Sequence, residues 1–192
     1  ANSSQKLRDK EKKILSIIEA SKISENIWHI GPETIEEVII QKANDKNIKI
    51  GFAESCTGGL LASRLTDCAG SSSVFWGSII SYSNEVKINC LGVNSNTLKD
   101  HGAVSKETAF EMALGARQKL KVDIAVSTTG IAGPGGATTG KPVGTVGIGV
   151  STKIQTSSEI YHYNGNRKSL KHSFSQAALF QMLDAINSFE SE

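Results

Sequence analysis

Apolar side chains recur along this chain at two periods, and the switches between them predict alternating helices and strands. Leu7, Ile14, Leu15, Ile17 and Ile18 lie at helical spacing with a charged outer face, after the polar opening ANSSQ, which reads as a tail. At 31-GPETIEEVIIQKANDK-46, Ile35, Val38 and Ile39 form an apolar stripe. Pro32 there suits the first helical position, and Glu33, Glu36 and Glu37 sit near the positive N-terminal end. The run 47-NIKIGFAE-54 changes to alternation at Ile48, Ile50 and Phe52 and predicts a short strand. Leu60, Leu61 and Leu65 return to helical spacing, and 74-VFWGSIISYS-83 is rich in β-branched and aromatic residues, a second strand.

The same reading predicts a helix over 105-SKETAFEMALGARQKLK-121, with Ser105 as its N-cap, leading into a buried strand at 122-VDIAVSTTG-130. Strands follow at 143-VGTVGIGVST-152 and 157-SSEIYHYNG-165, which look like a hairpin, and a last helix runs from Arg167 to Phe189. The glycines spread through 143–152 suggest a central strand approached closely by other backbone. Strands alternating with helices predict an α/β fold, a three-layer α/β/α sandwich with a mixed, mostly parallel sheet. The expected division is residues 1–30 as tail and extra helix, and residues 31–192 as one domain.

Composition narrows the function classes. The chain has 192 residues, 39% of them apolar, which suffices for one domain with a substantial core. Its 21 basic and 19 acidic residues leave a net charge of +2, so neither a nucleic-acid surface nor a membrane surface is implied. The 3 cysteines, Cys56, Cys68 and Cys90, leave one unpaired under any disulfide scheme and point to a reducing compartment. His29, His101, His162 and His172 show no zinc-like spacing, so no metal is expected. No apolar run approaches the roughly 20 residues of a membrane span, and the opening lacks the apolar core of a secretion signal, so the expected location is the cytoplasm. The apolar face of the first helix needs a partner, either the domain or a second subunit, and a homo-oligomer is expected.

Chemistry can sit in three places. The first is 50-IGFAESCTGGLLASRL-65, a strand, turn and helix. Ser55 or Thr57 can cap the helix while Gly58 and Gly59 allow a tight turn. Equally, the loop lies where open α/β sheets bind ligands, and the helix N-terminus offers amides to an anion, so Ser55 can be a nucleophile. Cys56 is a rival nucleophile or a small buried apolar residue. The second place is 81-SYSNEVKINCLG-92, which reads as a helix start capped by Ser83 or Asn84. Lys87 there can lie on a solvated face, or be buried with a lowered pKa and serve as the base a serine needs. The third is 130-GIAGPGGATTGKP-142. Gly135 to Lys141 matches G-x-x-x-x-G-K, but Pro142 stands where a phosphate-binding loop carries its magnesium-binding hydroxyl, which excludes an ATPase loop. A weaker anion nest of backbone amides over 130–136 remains open beside a plain surface loop.

Taken together, 53-AESCTGG-59, 82-YSNEVK-87, 101-HGAVS-105, 127-STTGIAGPGG-136 and 141-KPVGTV-146 closely resemble the signature segments of the CinA C-terminal domain family, over about residues 33 to 188 and in the same order. That family includes the bacterial nicotinamide mononucleotide amidohydrolases. The resemblance implies hydrolysis of the carboxamide of nicotinamide mononucleotide to nicotinate mononucleotide and ammonia, in pyridine-nucleotide salvage, without a cofactor. Ser55 matches the family's nucleophile, Lys87 its base and Tyr82 the tyrosine of the same segment. Arg167 matches the arginine of a late G-D-R triplet, which here reads 165-GNR-167, with Asn166 in place of the acid. On this reading the amides of Cys56, Thr57 and Gly58 hold the oxyanion. Arg167 and the amides around Gly130, Gly133, Gly135 and Gly136 hold the phosphate, and Thr128 and Thr129 contact the ribose or ring amide. The alternatives are a non-catalytic nucleotide-binding or interaction domain, which Asn166 favours, and an amidohydrolase for a different small amide. Longer family members carry a separate molybdopterin-binding-like domain ahead of this one. The residues before Pro32 are too few for it, so a stand-alone enzyme and a C-terminal portion both stay open.

Overall fold

Alternation along the predicted strands builds two cores, one on each face of a single sheet. The computed structural model describes residues 3–19, 29 and 31–189, in two compact units, Ala1–Glu33 and Thr34–Glu192. The division falls three residues past the expected one. In the first unit the predicted helix is present as α1 (Ser3–Glu19); Ala1 and Asn2 of the predicted tail lie outside the described residues.

The second unit begins at α2 (Ile35–Asp45), later than Pro32 suggested. Thr34 and Glu37 form a capping box: the Thr34 hydroxyl accepts from the Glu37 amide at 3.3 Å, and the Glu37 carboxylate accepts from the Thr34 amide at 2.7 Å. That reciprocal pair satisfies two amides the helix cannot, so the helix starts there.

Strands β1 (Ile50–Glu54), β2 (Phe75–Ile80), β3 (Ile124–Gly130), β4 (Thr145–Ser151) and β5 (Thr156–His162) form one sheet in the order β2-β1-β3-β4-β5. β1 pairs in parallel with β2 and β3, whereas β3 with β4 and β4 with β5 are antiparallel. Among the described strands, β4 therefore runs against the other four, as a mixed, mostly parallel sheet requires.

Phe52, Ile124, Val126, Val146 and Ile148 point to one face, where they join Ile39 of α2, Leu61 of α3 (Leu60–Thr66), and Phe174 and Leu179 of α7 (Arg167–Asn187). Ala53 and Ala125, each one residue out of phase, point to the other face. There they meet Leu91 of α4 (Asn84–Leu91) and Met112 and Ala116 of α6 (Lys106–Leu120). Helices thus cover both faces. Arg64 ties α3 to its neighbours, donating to Glu36 of α2 at 2.6 Å and to Ser175 and Gln176 of α7, each at 2.7 Å. One helix escaped the apolar pattern, α5 (Ser95–Asp100). Its sequence is polar, and it is held through Glu111 of α6, which accepts from the Asn94 amide and the Thr97 hydroxyl at 2.7 and 2.6 Å.

The glycines of β4 answer to α6. A Cβ at Gly149 would lie 2.2 Å from the Ala109 carbonyl oxygen, so the helix sits too close for any side chain. Gly149→Ala is expected to destabilise the protein by about 1–3 kcal/mol, as overpacking of a fixed interface does. Urea unfolding checks this; an unchanged midpoint would mean that α6 can lift off β4 at no cost.

Among the described residues, no helix is long and apolar enough to cross a membrane.

Candidate active site

The loop after β1 is held from below by a carboxylate. Glu54, the last residue of β1, is fully buried, and its oxygens accept from the amides of Gly59, Leu61 and Ala62 at 2.9, 3.0 and 3.1 Å and from the Ser78 hydroxyl at 2.9 Å. It therefore caps α3 from the strand side, placing its charge at the positive helix end. Gly59, the N-cap residue, has a left-handed backbone and no side chain to cap with. Two expectations change: neither Ser55 nor Thr57 caps the helix, and the amides of Gly59, Leu61 and Ala62 at the start of α3 are taken up by Glu54.

Ser55 is free for other work. Its amide donates to Thr128 O at 2.9 Å, extending the β1–β3 ladder by one residue, and its Oγ lies 2.9 Å from Lys87 Nζ. Lys87 is 1% exposed, on α4, whose start is fixed by Ser83 accepting from the Val86 amide. Lys87 Nζ also donates to Ser81 O at 2.8 Å and Tyr82 O at 3.4 Å. Burial pushes the Lys87 pKa down, with the neighbouring Cys56 thiol opposing weakly. The solvated-face reading of Lys87 is thereby overturned.

Cys56 is 7% exposed, and burial pushes its thiol up to about 12, despite the nearby Lys87. A thiol held protonated is a poor nucleophile.

Above Ser55 opens a cavity of about 220 Å³, lined by Ser55, Cys56, Tyr82, Lys87, Thr129 and Arg167 among others. It lies at the C-terminal ends of the parallel strands β1, β2 and β3, where the crevice of an open α/β sheet forms. Arg167 opens α7; its guanidinium donates to Gly133 O at 2.7 Å and to the Tyr82 hydroxyl at 3.2 Å. Tyr82 thus meets Arg167 through its hydroxyl and Lys87 through its carbonyl. Asn166 caps α7, its side-chain oxygen accepting from the amides of Lys168 and Ser169 at 3.0 and 3.1 Å. An Asp would cap in the same way, and neither is needed to orient Arg167.

Other expected residues lie elsewhere. Gly58, expected to donate to an oxyanion, spends its amide on Ser55 O at 3.1 Å. The Thr57 and Thr128 hydroxyls, both buried, lie 2.8 Å apart and brace the loop from beneath, so Thr128 does not face the cavity. Thr129 does line it, but its hydroxyl donates to Ala103 O at 2.6 Å. Gly130 lines the cavity, whereas Gly133, Gly135 and Gly136 do not; Gly133 contributes through its carbonyl to Arg167. Ala103, Val104 and Ala132 complete the lining without having been singled out, and so does Asn84, which was read only as a possible cap of α4, a role that falls to Ser83. The segments 82–87 and 101–105 signalled two of these stretches, but no residue type in them announces a ligand. Among the described residues, no three His, Cys, Asp or Glu side chains gather as a metal site would require.

Comparison with known proteins settles the lineage. The model of the CinA C-terminal domain matches residues 32–186. The chain belongs to the CinA C-terminal domain family. A CinA-like protein of Chlorobaculum tepidum is 41% identical over 181 residues, covering 91% of this chain and 43% of that protein. A CinA-like protein of Chloroherpeton thalassium is 48% identical over 157 residues, covering 80% of this chain and 37% of that protein. The chain thus spans about two fifths of the length of these curated relatives. In structure it is similar to the competence/damage inducible protein CihA of Agrobacterium tumefaciens, with a TM-score of 0.76 at 38% identity, covering 83% of this chain and 99% of that one. A CinA superfamily protein of Klebsiella pneumoniae gives a TM-score of 0.77 at 27% identity, covering 82% of this chain and all of that one.

Proposed function

We propose that this CinA-type domain hydrolyses the carboxamide of nicotinamide mononucleotide to nicotinate mononucleotide and ammonia, a step of pyridine-nucleotide salvage, with Ser55 as nucleophile and Lys87 as general base. The observation that carries the reading is the 2.9 Å approach of a buried lysine amine to a serine hydroxyl at the floor of a cavity. A neutral amine has two N–H bonds and one lone pair. With the N–H bonds directed at Ser81 O and Tyr82 O, the lone pair is left facing Ser55 Oγ, ready to take its proton.

In acylation, Ser55 Oγ bonds to the carboxamide carbon as its proton passes to Lys87; the C–N bond then breaks, and Lys87 returns the proton to the nitrogen, which leaves as ammonia. Water, deprotonated in its turn by Lys87, releases nicotinate mononucleotide and restores Ser55. The amides of Cys56 and Thr57 remain as the oxyanion donors, because Ser55 and Gly58 have spent theirs on Thr128 O and Ser55 O. Arg167, held by Gly133 O and Tyr82 with further N–H bonds to give, suits the phosphate. The choice of nucleotide rests on the family resemblance together with this cation beside the nucleophile. Asn166, which had favoured a binding-only domain, loses that weight as a helix cap.

The test is ammonia release from nicotinamide mononucleotide by EDTA-treated protein. Equal amounts of ammonia and nicotinate mononucleotide are expected. A folded protein that binds the nucleotide and releases nothing would leave the binding-only reading.

A further inference from the structure

Hydrolysis of a primary amide sets a demand that Ser55 and Lys87 do not meet. The carboxamide nitrogen carries two hydrogens, and its lone pair must turn toward a proton donor before ammonia can leave. A pocket that selects an amide over an ester therefore needs an acceptor for one of those N–H bonds. Most polar groups around the cavity are donors or already engaged. Lys87 directs its two N–H bonds at Ser81 O and Tyr82 O and its lone pair at Ser55 Oγ, Arg167 has no acceptor, and Tyr82 OH already accepts from Arg167. Thr129 keeps acceptor lone pairs after its hydroxyl donates to Ala103 O, but the residue is 1% exposed, which shields that oxygen from an incoming N–H.

Asn84 is different. It is the first residue of α4, directly after the N-cap Ser83, and it lines the cavity with Ser55 and Lys87. It stands three positions before Lys87, on the same face of the helix and one turn toward solvent, where Asn84 is exposed and Lys87 is buried. The capping role belongs to Ser83, so the Asn84 carboxamide is not needed by the helix. Among the described residues, neither its oxygen nor its nitrogen has a hydrogen-bond partner.

We infer that Asn84 is a specificity-determining residue, whose Oδ1 accepts an N–H of the scissile carboxamide and holds the departing nitrogen with its lone pair toward Lys87. The inference rests on the amidohydrolase reading of the site. It adds that preference for a primary amide over the corresponding ester is set by one neutral side chain on the helix that carries the base. An ester passes through the same acylation, with Ser55 bonding to the carbonyl carbon and an alcohol leaving with the proton from Lys87, but it offers no N–H for Asn84 to accept.

The experiment compares kcat/KM for nicotinamide mononucleotide and for the methyl ester of nicotinate mononucleotide in wild type, Asn84→Ala and Asn84→Asp. kcat/KM is the right quantity because it reports the acylation step for both substrates. In Asn84→Ala the amide-to-ester ratio is expected to fall about tenfold, as for the loss of one hydrogen bond to the reacting group. Asn84→Asp keeps an acceptor oxygen, and its negative charge acts on Lys87 equally in both reactions, so the ratio should stay within about threefold of wild type. Equal loss on both substrates in Asn84→Ala, no loss on the amide, or a ratio in Asn84→Asp as low as in Asn84→Ala would each overturn the inference. Wild-type protein that hydrolyses neither substrate would instead overturn the amidohydrolase reading, and this inference with it. Thermal unfolding of Asn84→Ala at the wild-type midpoint would show that the fold is kept.

Discussion

Ser55→Ala is expected to lower ammonia release by at least about 10³-fold while leaving the affinity for nicotinamide mononucleotide within about threefold. The asymmetry follows from how Ser55 is held. Its backbone is fixed independently of its side chain, by the amide bond to Thr128 O and by the Gly58 amide donating to its carbonyl, while the loop is braced by Glu54 and by the Thr57–Thr128 contact. Among the described residues, the hydroxyl has one hydrogen-bond partner, Lys87 Nζ. Alanine therefore removes the nucleophile and leaves the cavity, Arg167 and the oxyanion amides in place. The residual rate would come from binding and the oxyanion donors alone. Steady-state assays with calorimetric binding check both halves. Acid-quenched wild type should carry a nicotinate mononucleotide ester on the peptide containing Ser55, and Ser55→Ala should carry none. Turnover within about tenfold of wild type would sink Ser55 as nucleophile. Cys56 is a poor substitute, since its thiol, pushed up to about 12, stays protonated in the pH range of the assay.

The strands and long helices were legible because each buries one face and so imposes a period. Phe52 and Ala53 point into different cores, and Ile124, Ala125 and Val126 repeat the switch on the neighbouring strand. α5 was not legible, because a polar segment held by Glu111 leaves no apolar period. The site shows the same divide. Ser55 and Lys87 were recognisable as residue types in family segments, but the contact between them spans 32 positions and exists only through the fold. Glu54 was missed because a carboxylate capping a helix five to eight residues ahead, from inside a strand, has no local signature. Thr128 and Thr129 were read as a pair, yet alternation along β3 turns adjacent residues to opposite faces, so one braces the loop and the other lines the cavity. The glycine loop suggested amides for an anion; Gly133 instead contributes a carbonyl that steadies Arg167.

Lys87→Met keeps the length of the side chain and removes the amine, and is expected to lower kcat by about 10² to 10⁴-fold, the range of a general base and acid. Wild type adds a pH signature with a defined sign. Burial depresses the Lys87 pKa, so protonation is the inactive direction: kcat/KM should rise with pH through the depressed value and then level, with the midpoint below the 10.4 of an exposed lysine. The methionine variant should lack that rising limb. Linkage fixes the sign of the stability effect as well. Between the depressed folded pKa and about 10.4, the unfolded chain binds more protons at this position, so the Lys87 contribution to stability grows as pH rises through that window and is smallest below it. The methionine variant should lose this increment while the other titrating groups contribute as before. A wild-type profile that falls with pH over this window would mean that the charged amine is the working form, and Lys87 would then act as an electrostatic partner of the oxyanion and not as the base. A Lys87→Met variant with a near-normal rate would remove it from the chemistry altogether, and its burial beside Ser55 would then have to be explained by packing alone.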